Sequence, residues 1–176
     1  MATVKIVITG PESTGKSVLA QHLANAFHAE SVPEYARDYF DQKGTTSYDL
    51  NDLALIAKGQ SESVNLALRH NPPLLFCDTD LITIAIWARD KFNETIPAVE
   101  NRMREELADL YLLCKPDLPW EPDPLREDGH RREALFNEHK TILDALHARY
   151  VEIEGQGDQR TTQAIRAVQA FLDERT

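Results

Sequence analysis

The sequence predicts a single α/β domain, with a mostly parallel central sheet of about five strands flanked by helices. Three observations point there. Short apolar runs alternate with helix-period stretches from one end of the 176 residues to the other. The runs are continuously apolar, as strands buried on both faces should be. No fixed-period repeat and no Gly/Ser or Pro linker divides the chain, so solenoid and two-domain organisations fall away and residues 1–176 read as one unit.

The strands come in order. Val4 to Thr9 (VKIVIT), Leu74 to Cys77 (LLFC) and Leu110 to Cys114 (LYLLC) are short and rich in branched or aromatic residues. Val151 to Ile153 is a fourth strand, and Glu30 to Pro33 a weaker fifth that Pro33 must end. Between them, Val18, Leu19, His22, Leu23, Ala26 and Phe27 recur at helical spacing, as do Leu53, Ile56, Ala57, Gln60, Val64 and Leu68. Two further stripes, Leu135 to Leu146 and Ala164 to Leu172, complete the cover of the sheet. The segment from Lys115 to Arg132 breaks the rhythm with four of the nine prolines, a Trp and paired arginines. A loop this long in a compact domain is usually functional or disordered, and we read about 115–133 as a lid over an active site.

Nineteen basic against twenty-nine acidic residues leave a net charge of −10, which speaks against coating nucleic acid. The apolar start MATVKIVITG is too short for an export signal, and no window is long enough to span a bilayer, so neither membrane nor nucleic acid is expected as a partner and the cytoplasm is the expected location. Cys77 and Cys114 follow apolar runs and read as small core residues. The six histidines share no metal-ligand spacing with them.

Gly10, Pro11, Glu12, Ser13, Thr14, Gly15, Lys16 and Ser17 spell GPESTGKS, the pattern G-x-x-x-x-G-K-[ST], between a buried strand and an amphipathic helix. Glycines there let successive backbone N–H groups face phosphate oxygens, and the helix N-terminus adds partial positive charge. The expected fold is therefore that of the P-loop NTPases with a lid, and the expected ligands are ATP and Mg²⁺. Lys16 is expected to reach the β and γ phosphates, Ser17 to place its hydroxyl on Mg²⁺, and Val18 to border the nucleotide. The strand LLFC runs into Asp78, which at a strand's C-terminal end suits the metal. Asp80 is equally a substrate contact or the N-cap of a helix starting at Leu81. Pro33 to Arg37 (PEYAR) lies at the end of the second strand, so Glu34 is a candidate base or acceptor ligand, with Tyr35 and Arg37 beside it. Arg126, Arg131 or Arg132 would close over the γ-phosphate, and Trp120, with Glu121 and Asp123 nearby, would stack on a cationic ring.

Regulatory GTPases carry a base-reading NKxD motif that is absent here, and Asp41 to Gly44 (DQKG) does not end a convincing strand. AAA-type motors would need a second helical domain. A small phosphotransferase needs a phosphate loop, a strand-end Asp, an acceptor pocket and an Arg-bearing lid, and all four are in the sequence.

Taken together, GPESTGKS, EYAR, FCDTD with a following Trp, PDLPWEPDPLRE, YVEIEG and Arg160 resemble the ribosylnicotinamide kinase domains of NadR-type NAD-salvage proteins, in the same order over nearly the whole chain. The resemblance implies ATP-dependent phosphorylation of the 5′-hydroxyl of nicotinamide riboside, giving nicotinamide mononucleotide. Relatives of that type also carry a DNA-binding segment and an adenylyltransferase domain, so this chain is expected to act as a kinase alone. One departure stands in the lid: the family usually shows Asp-Gly-x-Arg, whereas Asp123, Pro124, Leu125 and Arg126 put a proline at the second place. The alternatives are a kinase for another nucleoside, or a nucleotide-dependent ATPase switch whose output is a protein contact.

Overall fold

The computed structural model describes residues 2–126 and 129–175. Five strands, β1 (Val4–Thr9), β2 (Glu30–Val32), β3 (Leu74–Asp78), β4 (Leu110–Cys114) and β5 (Tyr150–Ile153), form one sheet in the order β2-β3-β1-β4-β5. Every neighbouring pair is parallel, so each connection is a crossover and helices cover both faces. β2 ends at Val32, before the proline. β3 runs one residue beyond the apolar stretch to take in Asp78, which pairs with Ile8 of β1.

Alternation along the central strands decides which helices lie where. Val7, Leu75, Cys77, Tyr111 and Leu113 point to one face, where α3 (Leu50–Leu68), α4 (Leu81–Phe92), α5 (Pro97–Glu105) and α6 (Arg132–Ala145) supply Leu53, Ile56, Ile82, Met103 and Leu143. Ile6, Ile8, Phe76, Leu110 and Leu112 point to the other, against Leu19 and Leu23 of α1 (Lys16–Phe27) and Val168 and Phe171 of α7 (Gly157–Asp173). Both cysteines are free and buried. None of the described helices is long and apolar enough to cross a membrane.

Two helices are not evident from apolar period. α2 (Tyr35–Lys43) is short and polar, and buries only Ala36 and Phe40; Gly44 closes it in the left-handed region, so Asp41 to Gly44 is a helix end and no strand-end loop. α5 is marked by Pro97 at its first turn, where a missing N–H costs nothing. α3 begins three residues earlier than its stripe because Asp49 and Asp52 form a reciprocal cap. Gly59 in the middle of α3 is explained by packing: a Cβ there would lie 2.1 Å from the Tyr35 ring.

Candidate active site

β1, the strand from which the chain winds first to one side and then to the other, delivers the phosphate loop to the C-terminal edge of the sheet, where open α/β sheets place their ligands. Gly10 leaves the strand at φ 133°, and a Cβ on it would sit 2.7 Å from the carbonyl oxygen of Cys114. No other residue fits so close to β4. Ser13 (φ 54°) and Gly15 (φ 74°) both adopt left-handed backbone, turning the loop into a concave nest. The loop holds itself: Thr14 Oγ1 donates to the Pro11 carbonyl at 2.8 Å, and Lys16 Nζ to the same oxygen at 2.7 Å. α1 has no side-chain N-cap and no acidic residue in its first turn, which leaves its N-terminal amides and dipole for an anion.

Ser17 donates its hydroxyl to Asp78 Oδ2 at 2.5 Å. Asp78 is 4% exposed, and its other oxygen, Oδ1, is buried with no hydrogen-bond partner among the described residues. A buried carboxylate oxygen left bare beside a serine hydroxyl fits a hard cation that takes oxygen ligands and keeps several waters. The described residues contain no cluster of three His, Cys, Asp or Glu side chains, and Mg²⁺ shared with phosphates needs none. Burial pushes the Asp78 carboxyl up from its ordinary range, against the Ser17 hydrogen bond and the charge of Lys16. Glu34, at the N-cap of α2, is likewise pushed up by burial, with Lys16 opposing and Asp78 reinforcing. The charge of Asp78 acts on Glu34, so the two carboxylates lie near one another.

A cavity of about 360 Å³ opens from this edge. The whole loop from Gly10 to Val18 lines one end; Glu34, Arg37, Asp123 and Arg126 line its flank. Thr83, Ile86 and Trp87 of α4 and Leu135 and His139 of α6 form a largely apolar wall. Burial pushes the His139 imidazole down to about 4, and its Nδ1 donates to the Leu135 carbonyl, so Nε2 presents a lone pair within 3.4 Å of Thr83 Oγ1.

The structure thus gathers Lys16, Ser17, Glu34, Arg37, Asp123 and Arg126 around one space, with Asp78 behind Ser17 and outside the lining, and sends four other expected residues elsewhere. Arg131 pairs with Asp90 on α4 through both terminal nitrogens. Asp80 is the N-cap: its carboxylate accepts from Ile82 N at 3.1 Å and does not line the cavity. Tyr35 packs its ring on Gly59, away from the cavity, while its amide donates to Gln60. Trp120 donates to Glu12 at 3.3 Å and does not line the cavity. The aromatic ring that does face the cavity is Trp87, four residues after Thr83 on the same side of α4. That spacing does not by itself say which face of α4 meets the crevice. Leu135 and His139 repeat the pattern on α6, but nothing in sequence says which helix face meets the crevice.

The described part of the lid lies on the phosphate loop. Ser13 accepts from the Glu121 amide at 3.0 Å, and Arg132 donates to the carbonyls of Ser13 and Leu118 at 3.0 and 2.9 Å. Arg132 is therefore a latch between lid and loop. Pro124 has a local explanation. Asp123 accepts from Leu125 N through its side chain and from Arg126 N through its carbonyl, a turn in which Pro124 is the second residue. That place favours a fixed φ near −65° and needs no N–H. Glu127 and Asp128, within the expected lid, lie outside the described residues.

Comparison with known proteins agrees with the fold. Over 175 residues the chain is 30% identical to the trifunctional NAD biosynthesis/regulator protein NadR of Escherichia coli K12, covering 96% of this chain and 43% of that protein. The NadR of Salmonella typhimurium LT2 gives the same identity and coverage. The chain thus spans less than half the length of these relatives. Among solved structures, NadR in complex with NAD and AMP-PNP superposes with a TM-score of 0.79 at 23% identity over 96% of this chain and 49% of that one. A deoxyadenosine kinase from M. mycoides covers 97% of this chain and all of its own, with a TM-score of 0.66 at 14% identity. At these identities the two structures establish the fold. The profile of one family, described as an AAA domain, matches residues 5–160. The chain belongs to the AAA domain family.

Proposed function

We propose that residues 1–176 act as one ATP-dependent kinase domain, with about 115–133 as its lid, that phosphorylates the 5′-hydroxyl of nicotinamide riboside. The observation that carries the reading is the joining of two sites in one cavity: a phosphate nest at one end, backed through Ser17 by the bare buried carboxylate of Asp78, and an apolar wall bearing Trp87 at the other. The relatives support the substrate. They are NAD biosynthesis proteins, and a NadR in complex with NR has the same fold, with a TM-score of 0.79 at 24% identity.

In this reading the triphosphate lies in the nest, with Lys16 swinging from the Pro11 carbonyl to the β and γ phosphates. Ser17 and Asp78 would hold Mg²⁺, which when bound would neutralise charge on the phosphate oxygens. The acceptor hydroxyl lies against Glu34 and Asp78. Phosphoryl transfer has a loose transition state, so the protein's work is alignment and charge neutralisation. Glu34, with its carboxyl pushed up by burial, is the better placed of the two to take the hydroxyl proton late, since Asp78 is committed to the metal. Arg126, now donating to the Glu121 carbonyl at 2.6 Å, is the lid arginine that reaches the phosphates. Mg²⁺ and a cytoplasmic setting belong to this proposal.

The stacking partner of the acceptor ring is Trp87 rather than Trp120, and this gives the test. Trp87→Ala should raise the KM for nicotinamide riboside by roughly tenfold or more while leaving the KM for ATP within about twofold, the loss of one stacked aromatic face. Steady-state kinetics with each substrate varied in turn measures both. Equal changes in both constants, or none, would remove the acceptor from this wall.

A further inference from the structure

Arg160 is 4% exposed, deep inside the protein, and the terminal nitrogens of its guanidinium meet three backbone carbonyls and one carboxylate, while Nε has no hydrogen-bond partner among the described residues. Nη2 donates to the carbonyls of Thr14 and Lys115, both at 2.9 Å. Nη1 donates to the Gly155 carbonyl at 2.8 Å and to Asp117 Oδ1 at 2.7 Å. Asp117 in turn accepts from the Gly155 amide through Oδ2 at 2.6 Å. One side chain from the first turns of α7 therefore ties together the phosphate loop, the end of β4 and the turn after β5.

The contact with Thr14 has a directional consequence. All peptide bonds of the described residues are trans, and in a trans peptide the C=O and the following N–H point in opposite directions. Holding the Thr14 carbonyl outward aims the Gly15 N–H inward, to the side where the nest faces an anion. Gly15, at φ 74°, has a backbone that rotates freely when nothing fixes it. Arg132 holds the preceding carbonyl, that of Ser13, in the same manner, but it also latches the lid. Arg160 does not line the cavity and touches no part of it except through the loop.

We infer that Arg160 is a positioning residue for the nucleotide's phosphates: it presets the amide direction of the phosphate loop from behind. This rests on the phosphate-loop reading above and adds to it a residue outside the loop motif. Only a planar group with several fixed N–H donors can reach four acceptors at once, so lysine is no substitute.

The test compares Arg160→Lys, and Asp117→Asn as a milder variant that slackens the grip without touching the loop contact. Binding of ATP and of inorganic tripolyphosphate is measured by calorimetry, and the KM for each substrate by kinetics, with thermal melting as the check on folding. Arg160→Lys should weaken ATP and tripolyphosphate alike by about tenfold, with the acceptor KM within about twofold, and Asp117→Asn should shift the same two affinities in the same direction by less. A purely structural role would move the acceptor and donor constants together. Wild-type affinity for tripolyphosphate in Arg160→Lys overturns the inference. So does an acceptor KM that rises as far as that of ATP in the variant that folds. Failure of the wild-type protein to bind either polyphosphate would instead overturn the phosphate-loop reading itself.

Discussion

Lys16→Ala is expected to lower turnover by roughly a thousandfold or more while the protein still folds. Lys16 opens α1 directly after the nest, and its ammonium lies 2.7 Å from the Pro11 carbonyl, a backbone oxygen it can leave when phosphates arrive. It is the stronger of two cations, with Arg37, that keep both Glu34 and Asp78 closer to their ionised forms. Alanine removes charge from the transferring phosphoryl group and from the two carboxylates at once, so the loss falls on kcat. The packing of α1 on the sheet uses Leu19, Ala20, Leu23 and Ala24, none of which Lys16 supports, so the melting temperature should hold. Single-turnover phosphate transfer together with a thermal melt checks both parts; near-normal kcat would refute the assignment of the loop.

Asp78→Asn is expected to cost about a hundredfold to a thousandfold in kcat/KM at fixed Mg²⁺, and to leave stability equal or higher. The two halves of that expectation have one cause. Burial raises the folded-state affinity of this carboxyl for a proton, so the ionised form is disfavoured by folding. For an acid raised in this way, the folded state binds more protons than the unfolded one, and stability falls as pH rises from the unfolded value of 3.8 through the folded one. Asparagine has no proton to lose and escapes that penalty, while its amide oxygen can still accept from Ser17. The same shift governs activity. In the proposed site a Mg²⁺ ion would compete with a proton for Asp78, so its apparent affinity should weaken on acidification earlier than for an ordinary Asp, and the acid limb of kcat/KM should lie above the usual carboxylate range. Stability curves against pH and Mg²⁺ titrations at two pH values measure these effects; a variant both inactive and strongly destabilised would contradict the account.

The central strands and the phosphate loop were legible because each is a local pattern whose context is also local: an apolar run, a glycine that nothing else can replace, a helix opening on Lys16. Asp78 was legible for the same reason, at the end of LLFC. Sequence was silent where function depends on which way a helix face turns. Trp87 lies on α4, nearly all of which is buried, so its period does not single out one face, and the more conspicuous Trp120 lies in a lid whose path no periodicity fixes. Arg131 and Arg132 are neighbours in sequence, yet one meets Asp90 and the other the loop carbonyls, a split decided by where α6 begins. Arg160 appeared only as part of a resemblance. Its four acceptors include one 146 residues away in sequence, which no local pattern can disclose.

The most direct test of the account is ADP release from Mg·ATP in the presence of a panel of ribosides, nicotinamide riboside among them, with Lys16→Ala as the blank. The account predicts that nicotinamide riboside stimulates turnover well above every other riboside, and that nicotinamide mononucleotide accumulates in step with ADP. ATP binding with slow hydrolysis that no riboside accelerates would contradict it and leave a nucleotide-dependent switch as the better description of the site.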